Sequence, residues 1–247
     1  MPWRDDPTAY HVTLSELMLQ QTQVSRVMEK YPVFLARFPD FSSLARAKTA
    51  DVLCAWQGLG YNRRALFLKR LAEEVCRTYG GTLPTDERAL LALPGIGKGT
   101  AGSIAAFAFN QPVAFIETNI RRVFIHHFFT DRTKVDDREI LLLVRKAIDQ
   151  KNPREWYYAL MDYGAYLSKK VPNPNKKSSH YVRQSAFKGS DREIRGAVLR
   201  TLIACPTIRA SECAQILSVD LRRLEKVLGE LRAEGFIVKN KLAYRLA

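Results

Sequence analysis

The chain has 247 residues, of which 47% are hydrophobic, and its 39 Lys and Arg exceed its 25 Asp and Glu by a net charge of +14. This length is sufficient for one large or two smaller folded domains, and the basic excess favours a polyanionic partner. No apolar run reaches the roughly 18 residues of a membrane-spanning helix, and the N-terminus lacks the apolar core of a signal peptide. We therefore expect a soluble cytoplasmic protein.

Apolar residues spaced three and four apart predict helices through the first two thirds of the chain. The expected helices cover residues 9–30, 43–56, 63–78, 86–93, 99–109, 118–129, 137–149 and 153–169. No strand is expected before residue 236. The fold class predicted from this pattern is mainly α.

The last third of the chain predicts a linker and a separate small domain. Residues 170–190 are polar, basic and rich in helix breakers, which is typical of a linker. Helices are expected at about 191–204, 209–217 and 220–234, with Asp191 capping the first and Gly235 ending the third, followed by a β-hairpin over 236–246. Three helices and a hairpin resemble a winged-helix domain, whose basic third helix would face a DNA groove; a protein-interaction module with the same fold is the alternative.

The segment Leu91–Ile104, LALPGIGKGTAGSI, predicts two apolar helices joined by a tight turn. Gly95 and Gly97 allow that turn to expose consecutive backbone N–H groups at a helix N-terminus, where the helix dipole favours an anion. Lys98 adds a charge and Thr100 a hydroxyl. The pattern predicts a clamp on a DNA phosphate that reads no base, although an ordinary helix corner has the same local signature.

The four cysteines are scattered at Cys54, Cys76, Cys205 and Cys213 and never form a Cys-x-x-Cys pair. Zinc and iron–sulfur sites require clustered thiolates. The sequence therefore predicts no metal site and no disulfide framework.

Five segments together resemble the adenine DNA glycosylases of the helix–hairpin–helix (HhH-GPD) superfamily, the MutY type. They are PWR at 2–4, YHVTLSELMLQQTQV at 10–24, WQGLGY at 56–61, LPGIGKGTAG at 93–102 and FIETNIRRV at 115–123. The resemblance covers residues 1–168, so we expect a glycosylase domain over 1–169, a linker over 170–190 and the winged-helix-like domain over 191–247. It implies a two-lobed helical fold and a nucleoid-associated monomer that flips a base out of duplex DNA and hydrolyses its N-glycosidic bond in base excision repair.

The resemblance implies three catalytic residues. Glu16 matches the general acid that protonates the leaving base, and its apolar helix would raise its pKa. Glu117 stands where the family carries an aspartate that stabilises or traps the sugar cation, and it reaches one methylene further. Asn119 matches an asparagine that orients the carboxylates. A structural helix N-cap at Glu117 is the alternative.

The resemblance also implies DNA contacts outside the hairpin. Trp3 would line the base pocket, and Gln20, Gln21 and Thr22 would lie at the lesion, with Gln21 near the vacated site or the opposite base. Tyr61 would enter the base stack as a wedge, unless it is an aromatic residue at the edge of the core. Six basic residues are candidate phosphate neighbours: Arg63, Arg64, Lys69, Arg70, Arg121 and Arg122.

Three departures from the family qualify the expected activity. Gly99 stands where bifunctional relatives carry a Schiff-base lysine and the adenine enzymes carry Ser or Tyr, which predicts a monofunctional enzyme with an enlarged pocket. Residues 168–180 lack the four cysteines that hold a [4Fe–4S] cluster in most of the family, so no cofactor is expected. The 8-oxoguanine-sensing C-terminal domain is expected to be replaced by the winged-helix-like unit.

Adenine opposite G or 8-oxoguanine is the expected target. Another mispaired or modified base, such as T opposite G, is the alternative within the enzyme class. A non-catalytic DNA-binding protein or a transcription regulator derived from this fold is the alternative outside it.

Overall fold

The structure is a computed structural model that describes residues 1–183 and 186–247. These residues form a mainly helical chain that ends in a small sheet, as predicted. The helices are α1 (Pro2–Asp5), α2 (Ala9–Leu19), α3 (Val24–Arg37), α4 (Phe41–Arg46), α5 (Thr49–Ala55), α6 (Arg63–Tyr79), α7 (Glu87–Ala92), α8 (Lys98–Phe109), α9 (Thr118–Phe128), α10 (Asp137–Ala147), α11 (Pro153–Leu167), α12 (Asp191–Ala204), α13 (Ala210–Leu217) and α14 (Leu221–Ala233). A 3₁₀ turn covers Pro174–Lys177, and the strands are β1 (Ile208–Arg209), β2 (Ile237–Asn240) and β3 (Ala243–Leu246).

Two of the expected helices are interrupted, so their predicted extents were wrong. The segment 9–30 breaks between α2 and α3, where Gln21 adopts a left-handed backbone with φ of 53°. The segment 43–56 breaks before α5, whose N-cap residue Lys48 is extended. Apolar spacing continues across both breaks, which hides them in the sequence. The other expected helices are confirmed to within a few residues.

Cα proximity groups the chain into two compact units that interleave along the sequence. Unit 1 comprises Met1–Leu17 and Leu83–Arg183, and unit 2 comprises Met18–Thr82 and Gln184–Ala247. The sequence prediction had divided the chain into consecutive domains over 1–169, 170–190 and 191–247. The winged-helix-like segment is grouped with 18–82, and 170–183, predicted as linker, is grouped with unit 1.

The core of unit 1 holds an extended segment that leads into α9. Phe107 of α8 and Phe115 of this segment are buried with Tyr157 of α11, and their rings contact each other. The Tyr157 hydroxyl donates to the carbonyl of Val113 at 2.8 Å and accepts from the N–H of Phe115 at 3.3 Å. Helix α11 therefore fixes one side of the backbone segment that leads to Glu117.

The stretch 170–183 is also fastened within unit 1. The Val135 N–H donates to the Lys177 carbonyl at 2.8 Å, and the Ser179 N–H donates back to the Val135 carbonyl at 2.9 Å. Asn175 is buried and donates from Nδ2 to the Thr118 carbonyl at 3.0 Å. The 3₁₀ turn is thus held against the first residue of α9, next to Glu117.

The C-terminal part of unit 2 is the expected small α+β unit. Leu224, Val227, Leu228 and Leu231 form the fully buried stripe of α14, and Gly235 follows the helix with φ of 86°. The predicted hairpin is confirmed as β2 and β3. The two-residue strand β1 was missed; it pairs antiparallel with β3, so the order of the sheet is β1-β3-β2. Asp191 is the first residue of α12 rather than its cap, since Ser190 is the N-cap residue.

No helix within 1–183 or 186–247 is long and apolar enough to cross a membrane.

Candidate active site and loops

Glu117 is the N-cap residue of α9. Its Oε1 accepts hydrogen bonds from the N–H groups of Asn119 at 2.6 Å and Ile120 at 2.8 Å. The capping role considered from the sequence is therefore present. Desolvation raises the pKa of the Glu117 carboxyl, while the two N–H donors and the nearby Arg122 and Arg121 act against that rise. The cap fixes Oε1 and leaves Oε2 with one long contact of 3.4 Å to Asn119 Nδ2.

Asn119 is held by a short chain of hydrogen bonds to α11. Its Oδ1 accepts from Arg122 Nη1 at 2.6 Å, and the same nitrogen donates to the Gly164 carbonyl at 2.8 Å. A Cβ atom at Gly164 would lie 2.6 Å from the Cβ and carbonyl oxygen of Asn119. Glycine at this position allows α11 to approach α9 closely enough to support the carboxylate.

Glu16 lies on α2 and keeps partial solvent access. Desolvation by the surrounding protein raises its pKa to about 7; the Ser103 hydroxyl opposes this by hydrogen bonding, the charge of Glu117 adds to it, and Arg4 opposes it. Glu16 and Glu117 therefore belong to one electrostatic site within unit 1. A carboxyl with this pKa carries its proton in a large fraction of molecules near neutral pH.

Ser103 and Arg4 are site residues that the sequence analysis missed. Ser103 is 3% exposed, and its single hydroxyl hydrogen has two acceptors, the Glu16 carboxylate and the Thr100 carbonyl at 3.0 Å. Arg4 forms a paired contact to Asp162 at 2.8 and 2.9 Å and lies over the Tyr158 ring. Ser103 follows Gly99 by one helical turn, so helical periodicity offered a signal for it. No feature of the local sequence indicated the contact of Arg4 with α11.

The hairpin between α7 and α8 has the predicted geometry. Gly95 has φ of 80°, Gly97 is the N-cap residue of α8, and Lys98 is exposed at the first helical position. A Cβ at Gly99 would lie 3.4 Å from the Ile116 carbonyl oxygen. Position 99 therefore faces the backbone immediately before Glu117. Thr100 is half-buried in the first turn of α8.

Trp3 is buried on α1, with 5% of its surface exposed.

The remaining predicted DNA-contacting residues lie in two loops of unit 2. Gln20, Gln21 and Thr22 join α2 to α3, and Tyr61 ends the turn that precedes α6. Gln21 and Tyr61 are exposed and adopt φ of 53° and 48°, in the left-handed region that non-glycine residues seldom occupy. Such backbone strain concentrates at functional sites.

Arg64 joins these two loops. Its Nη1 donates to the carbonyls of Met18 at 2.8 Å and Gln20 at 2.6 Å. Its Nη2 donates to Thr22 Oγ1 at 2.8 Å and to the carbonyls of Leu59 at 3.1 Å and Gly60 at 3.0 Å. The side chain is 6% exposed, and its desolvation lowers the pKa of the guanidinium to about 10. Arg64 is therefore an internal cross-link between the loops.

The other candidate phosphate neighbours also make internal contacts. Arg63 binds Glu234, Arg70 donates to the Glu234 carbonyl, Lys69 binds Glu73, Arg121 binds Asp137, and Arg122 binds Asn119. On α14, the expected groove-facing helix, Arg223 and Lys226 both bind Asp191. Each of these side chains therefore already has a partner within the protein.

The residues present do not fit an iron–sulfur cluster. Residues 168–180 contain no cysteine, and Cys54, Cys76, Cys205 and Cys213 belong to the sequence ranges of unit 2. Across the described parts of the chain, no group of three or more His, Cys, Asp or Glu could hold a metal ion.

Comparisons with known proteins identify the family of the chain. The sequence model of HhH-GPD superfamily base excision DNA repair proteins matches residues 14–147. An adenine DNA glycosylase of Mycobacterium tuberculosis is 32% identical over 97% of this chain and 86% of its own length, and that of Mus musculus is 34% identical over 87% and 43%. The solved structure of a thermostable thymine-DNA glycosylase superimposes with a TM-score of 0.59 and 25% identity over 67% of this chain and 77% of that one. The chain therefore belongs to the HhH-GPD superfamily of base excision DNA repair proteins and, within it, to the adenine DNA glycosylases, which are DNA N-glycosylases.

Proposed function

We propose that this glycosylase removes adenine mispaired with G or 8-oxoguanine, using Glu16 as general acid and Glu117 to stabilise or trap the sugar cation. The observation that carries the proposal is the placement of Glu16 in one electrostatic site with a second carboxyl, Glu117, which the N–H groups of α9 hold in place. Burial at this site raises the pKa of Glu16 to about 7. A protonated Glu16 can give its proton to the leaving base, because its pKa matches neutral working pH. The Oε2 atom of Glu117 is available to face the positive charge that develops on the sugar.

The reaction proposed is hydrolysis alone, without strand cleavage. A bifunctional glycosylase needs an amine that attacks the sugar and forms a Schiff base. Position 99, which faces the backbone before Glu117, is glycine, and the neighbouring Lys98 is an exposed residue at the N-terminus of α8. Lys98 and the N–H groups of this helix end are suited to a phosphate of the DNA backbone.

The proposed base flipping relies on the two loops of unit 2. Gln21 and Tyr61 would occupy the space that the flipped base leaves and wedge the stack. Arg64 would hold both loops in one geometry before DNA arrives, which lowers the entropic cost of binding. We further propose that the enzyme acts as a monomer on the nucleoid. It would work without an iron–sulfur cluster, because residues 168–180 cannot supply thiolates.

The test is single-turnover base release from four duplexes: A opposite 8-oxoG, A opposite G, T opposite G and U opposite G. Wild type should release adenine, and strands should break only after alkali, which marks hydrolysis without lyase activity. Glu16→Gln should lose base release while its affinity for the same duplexes stays nearly unchanged. Tight binding by wild type without release from any duplex would favour a non-catalytic DNA-binding protein instead.

Thymine opposite G is the second candidate substrate. The likeness to a thymine-DNA glycosylase structure favours it, and Gly99 lacks the Ser or Tyr side chain that the resemblance to the adenine enzymes would lead us to expect. Release from the T·G duplex alone would move the substrate assignment to thymine and keep the enzyme class.

A further inference from the structure

A row of exposed aromatic rings runs from His127, in the last turn of α9, to Tyr163 and Tyr166 on α11. The His127 and Tyr163 rings are 5.6 Å apart at 21°, and the Tyr163 and Tyr166 rings are 6.4 Å apart at 17°. Lys170 Nζ lies 5.6 Å from the centre of the Tyr166 ring. We call His127, Tyr163, Tyr166 and Lys170 the aromatic strip.

The strip is ordered although it is exposed. Tyr163 and Tyr166 are 39% and 56% exposed, so packing in the core does not account for their presence. A hydrogen bond of 2.8 Å between His127 Nε2 and the Tyr163 hydroxyl fixes the orientation of one ring, and its near-parallel neighbour extends the row. Rings held in place before a ligand arrives lose little conformational entropy when a flat group stacks on them.

The charge beside the strip is positive. Lys169 and Lys170 are exposed directly after α11, which ends at Leu167. Within the described residues, neither of these two lysines forms an ion pair, whereas Asp162, next to Tyr163 in the chain, is paired with Arg4. Aromatic faces next to unpaired cations are the combination that binds the bases and phosphates of a single strand.

We propose that the aromatic strip is a binding site for single-stranded DNA, with unpaired bases stacked on Tyr163 and Tyr166 and phosphates held by Lys170 and its neighbours. His127 follows Glu117 by ten positions, which is about 15 Å along α9 at 1.5 Å per residue. The His127 end of the strip therefore lies away from Glu117, and the ligand proposed for the strip is an unpaired strand rather than a flipped base. Loss of the strip should leave chemistry on a short duplex unchanged.

The test measures fluorescence anisotropy of a labelled oligothymidylate of about 15 nucleotides, which spans one typical single-strand site. A second labelled oligomer of the same length carries abasic sugars throughout, so it keeps the phosphates and lacks the bases. Both are titrated with wild type, Tyr163→Ala, Tyr166→Ala and Lys170→Gln. The controls are Tyr166→Phe, which keeps the ring, and Tyr181→Ala, which removes an exposed tyrosine outside the strip. Single-turnover base release from a short duplex is measured for each variant.

Wild type should bind oligothymidylate more tightly than the abasic oligomer. Each tyrosine-to-alanine change should weaken that binding about tenfold, within the range for loss of one stacked base, and should reduce the preference for bases. Lys170→Gln should weaken both oligomers and flatten the dependence on salt, while Tyr166→Phe and Tyr181→Ala should match wild type. Equal affinity of wild type for both oligomers, or equal loss with Tyr181→Ala, would overturn the proposal. Base release does not enter this readout, so failure here and failure of the proposed activity remain distinguishable.

Discussion

Removal of the Glu16 charge should stabilise the protein at alkaline pH while abolishing base release. Desolvation raises the folded-state pKa of Glu16 from 4.5 to about 7. A raised folded pKa means that the folded protein holds this proton more tightly than the unfolded chain does. The stabilising contribution of the proton is complete below pH 4.5 and is lost as pH rises through about 7. Glu16→Gln resembles the protonated carboxyl at every pH and avoids the cost of ionisation.

The size of the effect follows from the two pKa values. Each unit of pKa difference corresponds to about 1.4 kcal/mol, so ionised Glu16 costs the folded state about 3 kcal/mol at pH 8. At pH 5 most of this cost is absent, and linkage leaves a difference of about 1 kcal/mol or less. The gain in free energy of unfolding from Glu16→Gln should therefore be about 2.5 kcal/mol larger at pH 8 than at pH 5.

Urea unfolding of wild type and Glu16→Gln at both pH values measures this difference directly. Titrating groups remote from Glu16 are shared by the two proteins and cancel in the comparison, whereas Glu117 is coupled to Glu16 and contributes to the difference. A gain that is equal at pH 5 and pH 8 would refute the raised pKa, and with it the account of Glu16 as a proton donor matched to neutral pH.

Three further variants test the surrounding geometry. Ser103→Ala removes a hydrogen bond that lowers the pKa of Glu16, the proposed general acid, so the alkaline limb of the kcat/KM profile for base release should move to higher pH. A shift to lower pH would contradict the assignment of Glu16 as the acid. Arg64→Met removes five hydrogen bonds but also removes a buried charge, so we expect the free energy of unfolding to fall by only about 1–3 kcal/mol. Affinity for mispaired duplex should fall by more than this loss of stability explains. If only stability is lost, the side chain has a structural role alone. Gly164→Ala forces a Cβ to within 2.6 Å of Asn119 and should cost about 1–3 kcal/mol and slow base release. The matched Gly229→Ala meets open space in α14 and should instead stabilise by up to about 1 kcal/mol, measured by the same urea titrations.

The sequence predicted most helices because their apolar spacing reports a buried face. It did not predict the break at Gln20–Gln23, since apolar residues resume in phase at Val24 and Val27 and no glycine or proline marks the loop. The strand β1 was not predicted for a different reason. A strand of two residues has no detectable periodicity, and Ile208 becomes a strand residue only by pairing with β3.

The sequence indicated candidate site residues where they lie within a short, specific motif, as Glu16, Glu117 and the hairpin glycines do. The supporting contacts were not predictable, because they join residues far apart in sequence. Asn175 reaches Thr118 across 57 positions, and Arg64 reaches Met18 across 46. From composition alone Arg64 counted as a surface cation; only the folded chain places carbonyl oxygens around it.

The N-cap at Glu117 limits what its presence can tell about activity. Replacing an N-cap residue by alanine costs a helix about 1 kcal/mol, whatever the protein does. Selection for folding alone would therefore retain a side-chain hydrogen-bond acceptor at this position, although not specifically an acid, in a descendant that had lost base release. Kinetic defects of variants at this position are therefore interpreted together with their thermal stability. Glu16 is the more diagnostic residue, because its charge works against the fold and only catalysis gives a reason to keep it.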